Sequence, residues 1–473
     1  MILHEHEGKE WAAVVYECNT CTIKVAMIDP LEMLPKPTTE ESSPSLKTDD
    51  GLTLEPPSRV AVRTPRPGDR PGNGTNQGII WFPHPITTLA SGVLFLRLAV
   101  HPDATMPFNH AAIFTSADRG KSWLPQTRGC SNADVAACSL PLAGSPADRF
   151  GPTLSWEMAV PQTCKAAAPS SEGDRVLVAS YQPHLLGDGT SIGWNGTELL
   201  ISPQGAVSVA TPVVPVAAHG LPHAVKEINY TGCPGCGQPT DPPGMQRRLA
   251  AANAYHGSPI QLKDGRLLTL LISVTFDKAC ATKRCTSIVT IVSDDCGRDW
   301  KYFSTVTSDG NEGSIMRLSD GRLFSVWRHN FDSTAVGLGL AYGQAFSSND
   351  GKDWQQGGQM SAAPGSVPPH SVMPTLKALP GGGALLSGGR GGMYLWRCES
   401  PACVDKGLWV STNVAAQHNA LVSPADPFGG FPETCTNESA WRQLNSCPSK
   451  EYLGLALLDQ ADDDSATDTE FVV

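Results

Sequence analysis

Apolar and polar residues alternate with a period of two through much of this chain, in short runs separated by turn residues. The clearest case is NEGSIMRLSDGRLFSVWRHN, Asn311 to Asn330, where two alternating runs flank Ser319-Asp320-Gly321. This pattern predicts a β-hairpin, with the glycine supplying the positive φ that the turn needs. Glu312 and Arg328 are equidistant from Asp320, so antiparallel pairing sets them opposite one another, within about 5 Å. A carboxylate and a guanidinium then meet at the hairpin's open end, either as an edge salt bridge or as a charged floor facing a ligand.

The same period appears at the start, where EWAAVVYECNTCTIKVAMID predicts two strands around a cysteine turn within residues 1–29. Residues 30–77 then shift to Pro, Ser, Thr, Gly and charge, which predicts a linker or exposed arm. Strand-turn-strand units resume at IIWFPHPITTLASGVLFLRLAV and recur to the end, so residues 78–473 are expected to form the folded body. Two repeats punctuate it. SADRGKSW, SDDCGRDW and SSNDGKDW share an S-x-D-x-G-x-x-W pattern, with Asn349 replacing the Asp in the third. The Asp, Gly and Trp of such a box fold a turn, so Asp118, Asp295 and Trp300 carry no chemical role. The second repeat, L-x-D-G-R-L, occurs in SPIQLKDGRLLTLL and SIMRLSDGRLFSVW, about 56 residues apart, the spacing of one four-stranded propeller blade.

Composition agrees with a mostly β chain, since Gly (46) and Pro (39) are abundant and charged residues make up only 17%. The formal net charge of -11 argues against nucleic acid as a partner and requires any anionic ligand to be captured by local cations. Twelve of the 14 cysteines fall in close pairs (Cys18/Cys21, Cys130/Cys138, Cys233/Cys236, Cys280/Cys285, Cys398/Cys403 and Cys435/Cys447), leaving Cys164 and Cys296. Local disulfides in an oxidising compartment are the simplest reading, and sequons at Asn73, Asn195, Asn229 and Asn437 point to the same secretory route. The two C-x-x-C pairs lack matching His spacing, so no metal is expected, and no cofactor motif occurs. The acidic run from Asp459 to Asp468 lacks the spacing and Gly pivot of a calcium loop and reads as a solvated turn. No apolar run could cross a bilayer, and MILHEHEGKEW is too charged for a signal peptide. A secreted protein is therefore expected whose signal sequence is missing from this chain.

The boxes, the L-x-D-G-R-L hairpins, the Glu312 to Arg328 segment and ALLSGGRGGMYLW together resemble the sialidases (neuraminidases) over residues 78 to the end. The resemblance implies an all-β, six-bladed propeller of four-stranded antiparallel blades, with a site at its axis. It also implies release of terminal sialic acid, or a related acidic sugar, from glycans by a retaining mechanism. A sugar with a carboxylate on its anomeric carbon calls for bidentate Arg groups. The same anion repels a carboxylate nucleophile, and sialidases use a Tyr, which needs a base to take its proton.

Carried over by motif, Arg328 and Arg390 correspond to the second and third Arg of the carboxylate-binding cluster, with Arg397 the alternative to Arg390. Glu312 corresponds to the base, Tyr452 in KEYLGLALLD to the nucleophile, and Asp103 in VHPDATMPFNH to the acid/base, since nearby Asn109 carries no acidic proton. The first Arg is missing: its place falls at Phe82 or Pro83, and His84 is a partial substitute if protonated. The family's closing strand reads apolar-apolar-Tyr-Glu, and here Val14-Val15-Tyr16-Glu17 has that sequence at the opposite end of the chain. Residues 1–29 thus either belong to a preceding propeller or complete this one's last blade, which would bring Glu17 into the site with Tyr16 as a rival aromatic. Three readings follow: a sialidase, a carbohydrate-binding propeller without turnover, or a glycosidase for another acidic sugar.

Overall fold

A computed structural model describes residues 12–17, 22–29, 46–47, 53–62, 80–83, 86–101, 110–118, 120, 122–126, 154–161, 173–180, 184–188, 190–222, 227–229, 247–249, 259–274, 287–310, 312–329, 341–370, 372–379, 382–389, 393–421, 433–436, 453–454, 456–457 and 471–472. Strands dominate these residues, and the helices among them are Pro401–Lys406, Val414–Leu421 and Glu433–Thr436. Among the described residues no helix is long and apolar enough to cross a membrane.

Sheets form from neighbours in the chain. Ile80–Pro83, Leu94–His101, His110–Ser116 and Leu124–Pro125 pair in that order, antiparallel throughout. Leu154–Ala159, Asp174–Ser180, Ile192–Ile201 and Val207–His219 make the second run, and Ile260–Gln261, Leu267–Val274, Ser287–Ser293 and Asp299–Thr307 the third. These two runs meet through a short parallel pairing of Ala217–His219 with Asp299–Lys301. Two four-stranded sheets follow: Gly313–Arg317, Leu323–Trp327, Gly343–Ser347 and Gln355–Gln359, then Val372–Ala378, Ala384–Gly389, Met393–Cys398 and Val410–Asn413.

Glu227–Asn229 and Arg247–Leu249 form a separate two-stranded sheet, and a further sheet draws on both ends of the chain. Ala12–Glu17 pairs with Thr22–Asp29 and with Leu453–Gly454, both antiparallel, and parallel with Phe471–Val472. Thr53–Val62 lies on the far side of Thr22–Asp29. The stretch 30–77 therefore contains a ten-residue strand, although its composition suggested a linker. Leu54, Val60 and Val62 supply apolar positions at even spacing, and Pro56 and Pro57, which have no N–H to donate, fall where the register shifts.

Successive sheets stack face to face, and alternate residues of one strand serve different neighbours. Val176 and Val178 pack against Phe95 and Ile113 of the first sheet, while Leu177 and Ala179 join Trp194, Val289 and Trp300 toward the third. Ile288 and Leu270 meet Ile315 and Trp327 of the fourth sheet, whose Phe324, Val326 and Tyr342 meet Leu386, Tyr394 and Trp396 of the fifth. Packing on both faces explains why Ser287–Ser293 is buried at every position, with Ile288, Val289, Ile291 and Val292 apolar and the Thr290 hydroxyl satisfied by Ser304.

The repeats behave as local fold devices. In the L-x-D-G-R-L turns, Leu262 and Leu318 N–H each donate to the carbonyl of Arg266 and Arg322 at 2.8 Å, and Gly265 and Gly321 have φ of 87° and 88°. Asp320 accepts from the backbone N–H and Nε of Arg322, whose guanidinium lies 5.2 Å over the Phe346 ring. In the boxes, Ser116, Ser293 and Ser347 hydroxyls accept from the N–H of Gly120, Gly297 and Gly351 at 2.6, 2.9 and 2.9 Å. Asp118, Asp295 and Asn349 accept further backbone N–H groups of the turn. Cys398 and Cys403 form a local disulfide, and Cys296 is also disulfide-bonded.

Candidate functional site

The hairpin forms in the register set by its pattern: Gly313 faces Trp327, and one step outward the Arg328 N–H donates to the Glu312 carbonyl at 2.8 Å. Their side chains form an ion pair, Arg328 Nη1 to Glu312 Oε2 at 3.1 Å, with 12% and 16% of the respective side chains exposed. The pair is thus mostly shielded from water yet open on one side. The backbone N–H of Met373 donates to the same carboxylate oxygen at 2.8 Å. Met373 holds a φ of 45°, a conformation that costs an L residue of this size of order 1–3 kcal/mol and that clusters at functional sites. Two donors converging on one oxygen fix the carboxylate's rotamer.

A further member of this group is absent from the motif reading. Trp327 faces Gly343 on the third strand of the sheet, so the next step of the ladder sets Tyr342 opposite Arg328. The Met360 N–H donates to the Tyr342 carbonyl at 2.8 Å, which continues the row onto the fourth strand. Direct cross-strand neighbours project from one face, so Glu312, Arg328, Tyr342 and Met360 share the face turned to the fifth sheet. Tyr342 is fully buried. Burial pushes its phenol well above the ordinary value; the Glu312 charge adds to that rise and Arg328 opposes it. The only sequence signal for Tyr342 was its register in GLGLAYGQAF, readable once three strands were paired.

On the other side of the hairpin's open end, His329 Nδ1 lies 3.1 Å from Asp309 Oδ2, and its ring meets Trp327 edge-on at 6.3 Å. Next to Glu312 and Arg328, this places a second titratable pair at the same end of the sheet.

Asp103, Arg390, Tyr452 and His84 lie outside the described residues, and Glu17 ends a strand in which it faces Ile23. The chain leads to several of these positions from the same kind of place. In an antiparallel run the start of the first strand and the end of the second share one end, as Gly313 and Trp327 do, Val372 and Gly389, and Ile80 and His101. Arg328, Arg390 and Asp103 each follow the second strand of their run by one or two residues. Arg397, the alternative to Arg390, faces Leu385, at the opposite end of its sheet from Gly389. Phe82 and Pro83 face Ala99 and Leu98, two to three steps inside the Ile80 end. Among the described residues no cluster of His, Cys, Asp and Glu could hold a metal ion.

No family model matches the chain, and no curated protein matches it significantly. The solved structures that match include sialidases, an arabinanase and a protein of unknown function. A protein of unknown function from Dyadobacter fermentans is 21% identical, with 71% of this chain and 83% of that one covered at a TM-score of 0.42. The Hadza microbial sialidase Hz136 is 14% identical over 77% and 69% at 0.42, and an α-L-arabinanase of Penicillium chrysogenum 15% identical over 71% and 84% at 0.42. At such scores and identities, assignment rests on the chain's own residues.

Proposed function

We propose that the protein is a glycoside hydrolase of sialidase type, built as a six-bladed propeller whose last blade combines strands from both ends of the chain. The observation that carries this reading is the shielded Glu312–Arg328 pair at the open end of its hairpin, braced by the strained Met373 N–H. The motif resemblance around Arg390 and Tyr452 supports it, as does the common end of the sheets from which Asp103, Arg328 and Arg390 follow.

In this reading Arg328 and Arg390 hold the carboxylate of a terminal acidic sugar through charge-assisted bonds. Tyr452 attacks the anomeric carbon while Glu312 takes its phenolic proton, and Asp103 gives a proton to the leaving oxygen, forming a glycosyl-tyrosine. Asp103 then accepts a proton from water, the water oxygen displaces Tyr452 with retention, and Glu312 returns the proton to the phenolate. In the sequence Tyr452 directly precedes Leu453, which faces Tyr16, the residue before Glu17. Glu17 then corresponds to the family Glu that orients the first Arg, and His84, if protonated, supplies part of the charge missing at Phe82 and Pro83. The partners are sialylated or otherwise acidic glycans, met along the secretory route that the sequons and cysteine pairs indicate.

The second reading, a glycan-binding propeller without turnover, is favoured by the missing first Arg alone. Release of a fluorophore from a fluorogenic sialoside, with Tyr452→Phe as control, separates the two. Turnover lost in Tyr452→Phe is the expected result; sialoside binding with no turnover by either protein removes the hydrolase and leaves the binding module.

A further inference from the structure

We infer that Tyr342 is a positioning residue of the candidate site, its hydroxyl bracing the Glu312–Arg328 pair against the end of the strand Ala384–Gly389 that leads to Arg390. The inference rests on the proposed function for its catalytic meaning, and on geometry for everything else. The cross-sheet row places Tyr342 directly beside Arg328 and one strand further from Glu312. Its hydroxyl oxygen lies so close to Gly388 that a Cβ there would collide with it. Gly389 faces Val372, and the next residue, Met373, donates its N–H to Glu312. The hydroxyl therefore stands against the glycine pair, and the strained methionine beside that pair holds the carboxylate, all between the fourth and fifth sheets.

The rest of the residue is anchored independently. The Tyr342 N–H donates to the Pro369 carbonyl at 2.9 Å, and the ring meets Trp396 edge-on at 6.3 Å. Full burial and the raised phenol pKa keep Tyr342 neutral at any working pH. Those properties rule it out as the nucleophile despite its place beside the Glu: it can neither reach a sugar nor lose its proton readily. What it offers is a fixed O–H dipole in a low-dielectric setting, where such a group exerts more on a nearby charge than it does in water. They also account for Gly388, since any larger residue would displace the hydroxyl.

The test is Tyr342→Phe, which keeps the ring and its packing and removes only the hydroxyl. The carboxyl carbon of Glu312 is followed by 13C NMR against pH in the full chain, its signal assigned with Glu312→Gln. The expected result is a midpoint raised by about half a pH unit or more, because the carboxylate loses a polar neighbour. On sialoside turnover, kcat falls about tenfold with KM within about twofold, and the acid limb of the pH profile moves with Glu312. A Glu312 midpoint unchanged or lowered in Tyr342→Phe overturns the inference, whatever the activity. Should Tyr342→Phe fail to fold, Gly388→Ala, which pushes the hydroxyl away, is expected to move the same midpoint, and an unmoved midpoint there is equally decisive. If the wild-type protein hydrolyses no sialoside, the proposed function fails while the titration still decides the role of Tyr342.

Discussion

Removing the guanidinium of Arg328 while keeping an apolar stem of similar reach, as in Arg328→Met, leaves the Glu312 carboxylate facing that stem. Breaking a fully buried pair costs about 3–5 kcal/mol and a surface pair about 0–1 kcal/mol. With 12% and 16% of the two side chains exposed, and the Met373 N–H still donating to Glu312, the cost falls between, near ~2 kcal/mol. That is roughly a 30-fold change in the ratio of folded to unfolded protein. Urea denaturation followed by tryptophan fluorescence reads it as a lowered midpoint. The double variant Glu312→Gln/Arg328→Met is expected to recover at least about 1 kcal/mol, because a neutral amide no longer strands a charge. If Arg328→Met costs less than about 0.5 kcal/mol, or the two changes simply add, the pair is a surface contact and not the shielded element described above.

Other tests probe the scaffold that delivers the pair. Asp118 sits in a box turn where burial raises its pKa but hydrogen bonds from Ser122 and Ser116 outweigh this and leave it below the ordinary 3.8. A depressed carboxylate contributes stability above its unfolded value and loses it as pH falls through the folded one. Asp118→Asn should therefore lower the melting temperature at pH 7, with the gap to wild type closing as pH drops below about 4; a gap independent of pH refutes this. Gly343→Ala would drive a Cβ into the buried Trp327 indole and should cost at least about 2 kcal/mol, read by the same urea series. His219 bridges Ser191 at 3.0 Å and Asp299 at 2.9 Å across the junction of the second and third sheets. Because His219 is 41% exposed, His219→Ala should cost only about 1 kcal/mol, and faster hydrogen exchange confined to Val207–His219 and Asp299–Thr307 is the expected signature.

Local chemistry made much of this protein legible in its sequence. The period-two runs named the strands, Gly265 and Gly321 named their turns, and the symmetry of Glu312 and Arg328 about Asp320 set their pairing, because a tight hairpin fixes its own register. The boxes and the Cys398–Cys403 loop are equally local, each closing within a few residues. Contacts between distant segments were not legible in this way. Nothing in TLEPPSRVAV marks Thr53–Val62 as the partner of Thr22–Asp29, since a sheet edge accepts a strand for its backbone rather than its composition. The junction of Ala12–Glu17 with strands near the C-terminus likewise spans most of the chain. Tyr342 and Met373 were invisible as site residues for the same reason: one becomes a neighbour of Arg328 only through a second strand pairing, and the other meets Glu312 only because two separate sheets stack. Periodicity along the chain determined what each strand is; packing between sheets decided which strands, and which side chains, stand together.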